Sequence, residues 1–215
     1  MKAQDKNNIV EITGEIKSDF RFSHELFGES FYTFDVETKR LGESANSDTV
    51  PCLVSERLID VTQDWVGTFI KIKGQFRSFN RAVDENDTNK KRLVLTVFIT
   101  ELDFVDEEQR YSNNIIHLNG YVCKNPVYRT TPLGREITDV FLAVNRAYGK
   151  SDYIPCILWG RNAKFASVFK VGEHIKLVGR IQSRDYIKKV NDVEEKRTAY
   201  EVSVIKVEIC DPFED

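Results

Sequence analysis

The chain contains the same order of segments twice. Three segments return about 105 residues later: Asn8–Gly14 as Asn114–Gly120, Pro51–Arg57 as Pro155–Arg161, and Gly67–Ser78 as Gly172–Ser183. A period of this length is typical of a whole small domain, whereas solenoid repeats are much shorter. We therefore predict two copies of one domain, at residues 1–108 and 109–215, with the boundary in the polar segment around residues 106–113.

Composition excludes several classes of protein. With 215 residues, 41% of them hydrophobic and 30% charged, the chain can form two packed cores and has no apolar run of the ~18 residues that cross a bilayer. Its first residues lack the order of a secretory signal, so we expect a cytoplasmic protein with no membrane partner. The four cysteines form no CxxC and the three histidines are far apart, so we expect neither a metal nor another cofactor.

Charge is divided unevenly between the copies. Residues 1–110 carry 15 Lys and Arg against 21 Asp and Glu, a net charge of −6, whereas residues 111–215 carry 16 against 13, a net charge of +3. A polyanionic ligand would therefore be expected on the second copy.

Short alternating or β-branched segments bounded by turn residues predict five strands in each copy. They are 9–16, 32–39, 50–55, 69–78 and 93–104 in the first copy, and 115–122, 137–145, 153–159, 174–184 and 198–209 in the second. One short helix is expected between the third and fourth strands, at 56–65 and at 161–169. This plan predicts an all-β protein of two tandem OB-folds, which are five-stranded Greek-key barrels. Gly74 and Gly179 interrupt the fourth strand of each copy, where we expect a bend or bulge.

The second copy resembles the bacterial single-stranded DNA-binding protein family in five motifs that occur in register. They are Asn114–Gly120, Asn125–Gly134 (NPVYRTTPLG), Leu142–Arg146 (LAVNR), Trp159–Arg161 (WGR) and Gly179–Tyr186 (GRIQSRDY). The resemblance implies a bacterial, nucleoid-associated protein that coats single-stranded DNA in replication, recombination or repair. The first copy keeps the core spacing but departs from the family pattern.

The resemblance also implies site residues. The family stacks bases on aromatic rings, a mode of binding that tolerates any sequence because every base has a π-face. The aromatic residues at the matching positions are Tyr148, Tyr153, Trp159 and Tyr186. Cationic residues interleaved with them would neutralise phosphates, and they are Arg129, Arg146, Arg161, Arg180, Arg184 and Lys188. The alternatives are that the rings pack the barrel interior and that the cations are solvated surface charges.

In the first copy the counterparts of three of these aromatics are Leu41, Thr49 and Ser55, so most of the stacking platform is missing. By resemblance we expect a homodimer with four OB-folds in total. Replication or repair proteins would be partners if the C-terminal segment 211–215 (DPFED) acts like the acidic Pro-Phe tip of the family; the alternative is a frayed terminus.

Two other classes of function remain open. An OB-fold interaction protein, such as a primosome-like accessory factor with weak nucleic-acid binding, would explain the acidic first copy. An OB-fold nuclease would need a cluster of carboxylates that holds metal, and the sequence has no such constellation, so we expect no enzyme activity.

Overall fold

The computed structural model describes residues 7–40, 46–84, 87–106, 113–190 and 193–210, without the side chains of 82–84, 87–91, 188–190 and 193. The expected domain boundary at 108/109, Leu41 and the segment 211–215 lie outside the described residues. Among these residues no helix has the length and apolar character that spanning a bilayer requires.

Within the described residues each copy contains six strands. In the first copy they are β1 (Asn8–Ile16), β2 (Arg21–Leu26), β3 (Glu29–Lys39), β4 (Ser47–Ser55), β5 (Phe69–Asp84) and β6 (Asp87–Phe104). In the second they are β7 (Asn113–Val122), β8 (Val127–Thr130), β9 (Glu136–Asn145), β10 (Ser151–Trp159), β11 (His174–Val190) and β12 (Val193–Ile209). All ten predicted strands are confirmed. The short strands β2 and β8 were missed because every residue in them is exposed, so neither has a buried face to detect.

The strands of each copy close into a barrel. In the first copy the strand order is β2-β3-β4-β6-β5-β1, and a short pairing of β1 with β3 closes the barrel. In the second copy the equivalent pairing of β7 with β9 closes the barrel. In each copy the third predicted strand pairs in parallel with the fifth, as β4 does with β6 and β10 with β12. All other described pairs of strands are antiparallel. The protein is thus all-β, with two tandem OB-folds.

The predicted fourth strands bury every second residue. Ile70, Ile72 and Phe76 in β5 are fully buried, and Ile175 and Ile181 are their counterparts in β11. The pairing register shifts immediately before Gly74 and again before Gly179. A Cβ at Gly74 would lie 2.2 Å from the carbonyl oxygen of Phe98, so the bulge brings two backbones too close for any side chain.

The expected helices differ between the copies. Helix α1 (Arg161–Ala166) forms in the second copy and buries Ala163 and Ala166. The helix expected at 56–65 is wrong, since this segment consists of turns. Asp60 explains the difference: its carboxylate accepts hydrogen bonds from the backbone N–H and hydroxyl of Thr62, at 3.0 and 2.7 Å. Such local side-chain bonds offer the backbone an alternative to the helix.

Strands β1 and β7 join the barrels into one continuous sheet. They pair antiparallel, and Val10 lies opposite its own repeat counterpart Ile116. The strand order of the whole sheet is the same read from either end, with each copy's strands in equivalent places. The two copies are therefore related by a pseudo-twofold axis between Val10 and Ile116, as the subunits of an isologous dimer are.

Candidate nucleic-acid interface

The four aromatic residues predicted to stack on bases all have solvent-exposed surface. Tyr148 is 98% exposed, Tyr153 45% and Trp159 36%, and Tyr186 is partly exposed. None of these rings belongs to the buried core. The alternative that they pack the barrel interior is therefore wrong.

Strand β10 presents two of the rings on its outward face. Ile154, Cys156 and Leu158 point into the barrel, so the alternating positions Tyr153 and Trp159 point away from it. Their orientation follows from the buried face of the strand and needs no special local geometry.

Tyr153 and Trp159 form an exposed aromatic surface, and Phe141 extends it onto the neighbouring strand β9. Its ring lies parallel to that of Tyr153, with centroids 6.3 Å apart and an interplanar angle of 16°. The ammonium of Lys124 lies 4.5 Å from the centroid of Phe141. Sequence analysis missed Phe141, although its signal was present: it alternates with the buried residues Val140 and Leu142.

Tyr148 is held in the turn that connects β9 to β10. Its φ of 62° lies in the left-handed region, which is costly for a residue with a side chain. The turn is closed by a hydrogen bond of 2.7 Å from the N–H of Arg146 to the carbonyl oxygen of Lys150. The backbone therefore presents the ring to solvent at some energetic cost.

Trp159 and Tyr186 are each in contact with a polar neighbour. The indole Nε1 of Trp159 donates to the hydroxyl of Ser203 at 3.2 Å, which fixes one edge of the ring. The guanidinium carbon of Arg184 lies 5.9 Å from the centre of the Tyr186 ring, at cation–π distance. Arg184 also lies 3.8 Å from the carboxylate of Glu201.

The remaining predicted cations fall into two groups, of which the first is on the surface. Arg129 donates a hydrogen bond to Asp139 at 2.8 Å, and both side chains are substantially exposed. Arg161 is exposed at the start of α1. Lys188 lies in β11, opposite Glu195, and its side chain is outside the described residues.

The second group, Arg146 and Arg180, lies at the junction between the barrels. Arg180 donates to the buried carboxylate of Asp48 in the other copy, and Arg146 lies 3.2 Å from the buried carboxylate of Asp152. Burial lowers the pKa of Arg180 and raises the pKa of Asp152. These two guanidinium groups thus have acidic partners within the protein, and their contact with DNA stays a prediction.

The first copy lacks an equivalent aromatic surface at the matching positions. Ser55, the counterpart of Trp159, is buried and donates to Glu29, while the N–H of Thr49 bonds the hydroxyl of Ser183 at 3.0 Å. Phe79 on β5 is 49% exposed. Within the described residues no group of three or more His, Cys, Asp or Glu side chains could hold a metal ion.

Comparison with proteins of known structure supports the fold. The structure superimposes on the crystal structure of wild-type single-stranded DNA binding protein from Thermus aquaticus with a TM-score of 0.74 and 16% identity. The superposition covers 95% of this chain and 93% of the other. A deletion mutant of that protein gives a TM-score of 0.69 at 21% identity over 97% and 95% of the chains. Both barrels are included in these matches.

Sequence comparison concerns mainly the second copy. Residues 113–210 match the Single-strand binding protein family. Single-stranded DNA-binding protein B of Bacillus subtilis is 34% identical over 80 residues, which are 34% of this chain and 71% of that protein. Single-stranded DNA-binding protein 2 of Listeria innocua is 36% identical over 80 residues, 34% of this chain and 50% of that protein. The chain spans about half the length of most of the curated relatives it matches. The match to most of the Bacillus protein, together with the family match across the whole second barrel, shows that the chain belongs to the single-strand binding protein family.

Proposed function

We propose that this protein binds single-stranded DNA without sequence specificity, by stacking bases on the exposed aromatic rings of the second barrel. The observation that carries the proposal is the outward presentation of Tyr148, Tyr153 and Trp159, with Tyr186 partly exposed, in a copy that matches a family with members named for binding single-stranded DNA. Each stacked base is worth about 1–3 kcal/mol. The protein would coat exposed strands in replication, recombination or repair, in the cytoplasm and on the nucleoid.

A titration with matched oligonucleotides tests this function. Fluorescence anisotropy is measured with labelled oligo(dT), with a mixed-sequence single strand and with the corresponding duplex, over a series of salt concentrations. Both single strands are expected to bind far more tightly than the duplex, with an affinity that falls as salt rises because bound counterions are released. Equal affinity for the duplex, or no binding of single strands at low salt, would refute the proposal.

The proposed role is binding and not catalysis. The exposed rings and the cations near them offer base stacking and neutralisation of phosphates, which is what binding of a single strand requires. An assay of purified protein with labelled single strands and Mg²⁺ tests this, with an intact strand as the expected product. Cleavage that co-purifies with the protein and disappears in a Trp159→Ala variant would contradict it.

We further propose that the protein is a homodimer of two-barrel chains. An open groove of about 690 Å³ lies on the sheet formed by β1, β7 and β11, and it is lined by charges of both signs, including Glu11 on β1 and Lys176 on β11. Such a face can pair with a second copy of itself. Light scattering coupled to size exclusion is expected to give about twice the chain mass of 24.9 kDa; a monomer at micromolar concentration would refute the dimer.

A further inference from the structure

A groove of about 1020 Å³ runs between the two barrels, with walls from both copies. Pro51 of the first copy and Pro155 of the second, which are repeat counterparts, both line it. The groove therefore lies across the pseudo-twofold axis, and any ligand that fills it touches both copies.

The two walls of the groove differ in chemistry. Tyr186 of the second copy lines it, and the residue at the same repeat position in the first copy is Arg81, which lines it too. Arg92, next to Arg81 across the hairpin, and Arg21 also contribute to the lining. Three arginines thus come from the copy whose net charge is negative, and two aromatic rings, Tyr186 and Tyr200, come from the other.

Arg81 and Arg92 lie directly opposite each other on the antiparallel strands β5 and β6. Both are exposed, and among the described residues neither is paired with a carboxylate. Like charges in directly opposed positions destabilise a pair of strands. An anion between the two guanidinium groups would remove this repulsion, so the arrangement favours a negatively charged occupant.

Arg21 differs from this pair because it has an acidic partner. Its guanidinium lies 3.0 Å from the carboxylate of Asp35, which also lines the groove. Among the side chains that the structure describes, the positive charges of the groove without an acidic partner are therefore those of Arg81 and Arg92.

Resting on the proposed function, we infer that the strand that stacks on Tyr186 continues through this groove, where Arg81 and Arg92 neutralise its phosphates. The first copy then contributes to DNA binding through cations, although it lacks the aromatic platform. A polyanionic single strand fits an aromatic wall that faces a cationic wall, because its bases stack on the ring while its phosphates meet the guanidinium groups.

The test removes the two charges in the full chain. The double variant Arg81→Gln/Arg92→Gln is compared with Lys71→Gln/Lys170→Gln, which loses the same charge at exposed positions that do not line the groove. With oligo(dT) of about 30 nucleotides, enough for two OB-folds, the log–log salt slope of the first variant should be shallower by about 1.4, which is about 0.7 for each lost phosphate contact. The lysine variant should keep the wild-type slope.

Charge-conserving and stability controls complete the test. Arg81→Lys/Arg92→Lys should retain the salt slope, because lysine also neutralises a phosphate. Without DNA, the glutamine variant should melt at the wild-type temperature or higher, since the opposed charges are gone. A wild-type slope and affinity in the folded glutamine variant would overturn the inference while wild-type binding keeps the proposed function. Absence of single-strand binding by the wild-type protein would refute the proposed function itself.

Discussion

Asp48 and Asp152 hold the same position in the two copies, and each carboxylate accepts a hydrogen bond from a backbone N–H of the other copy. The N–H of Ser183 donates to Asp48 at 3.0 Å, and that of Ser78 donates to Asp152 at 2.7 Å. Both side chains are only 1% exposed. Two equivalent hydrogen bonds, together with the β1–β7 pairing, therefore stabilise the junction between the barrels.

The two contacts have equivalent geometry, but the two carboxylates differ in the cationic groups that offset their negative charge. Asp48 also accepts hydrogen bonds from Arg40, at 2.7 and 3.0 Å, and from Arg180. At Asp152, one carboxylate oxygen lies 3.2 Å from Nε of Arg146, outside hydrogen-bond geometry, and neither atom has another partner among the described residues. The repeat counterpart of Arg180 is Gln75, and the nearby Arg77 acts on Asp152 electrostatically while its guanidinium hydrogen-bonds Gln75. Asp48 thus accepts hydrogen bonds from two guanidinium groups, whereas the described contacts of Asp152 with arginines are electrostatic only.

Replacing the two aspartates with alanine should consequently have unequal effects on stability. Asp48→Ala leaves two guanidinium groups without their partner and should cost about 3 kcal/mol, the lower end of the range for a broken buried pair because both groups are about a quarter exposed. Asp152→Ala should cost less. Urea unfolding of both variants measures the difference; a larger loss for Asp152→Ala would contradict the assignment.

The pH dependence of stability should identify Asp152 as an incompletely compensated carboxylate. Burial raises its pKa above the ordinary value of 3.8, so the folded protein binds this proton more tightly than the unfolded chain does. The contribution of Asp152 to stability is therefore greatest below about pH 3.8 and is lost as pH rises through the folded-state pKa. Relative to Asp152→Asn, the wild-type protein should lose stability in urea unfolding as the pH rises above about 4. A difference that does not change with pH would show that the raised pKa is absent.

The two tryptophans should respond differently to DNA. Trp159 is on the exposed aromatic surface, whereas the indole of Trp65 donates to the carbonyl oxygen of Asp60 at 2.8 Å and packs on Phe104 with ring centroids 4.6 Å apart. Trp159→Phe should abolish the fluorescence change on binding single strands, and Trp65→Phe should preserve it. A change lost only with Trp65→Phe would place the strand elsewhere.

Most of the barrel could be predicted from the sequence because it depends on local alternation. Each core strand buries every second residue, as Ile175, Leu177 and Ile181 do in β11, and this pattern is visible without coordinates. Strand β2 has no buried face, and the turn at Asp60 depends on a side-chain hydrogen bond that competes with helix formation. Propensity alone detects neither of these features.

The roles of individual cations were less predictable, because they depend on contacts between distant parts of the chain. Arg180 and Asp48 are 132 residues apart in sequence, and no periodic pattern connects them. Arg81 is an ordinary surface arginine in the sequence, and only the barrel arrangement brings it to the same groove as Tyr186. Motif matching finds the aromatic positions of a copy that follows the family, but it gives little information about a copy that departs from it.

The exposed rings Tyr148 and Phe27 provide a matched pair of positions for the last prediction. Each is 98% exposed and each has a left-handed backbone, with φ of 62° and 52°, but only Tyr148 lies in the copy with the aromatic surface. Glycine relieves the backbone strain at either site. In urea unfolding, the free energy of unfolding of both Tyr148→Gly and Phe27→Gly should therefore equal that of the wild-type protein or exceed it by up to about 1 kcal/mol. Tyr148→Gly should weaken oligo(dT) binding by about 5- to 150-fold, the equivalent of one stacked base, and Phe27→Gly should leave it unchanged. Anisotropy titrations of the two variants at one salt concentration make the comparison. Equal effects on binding would mean that the ring of Tyr148 makes no specific contact with the strand.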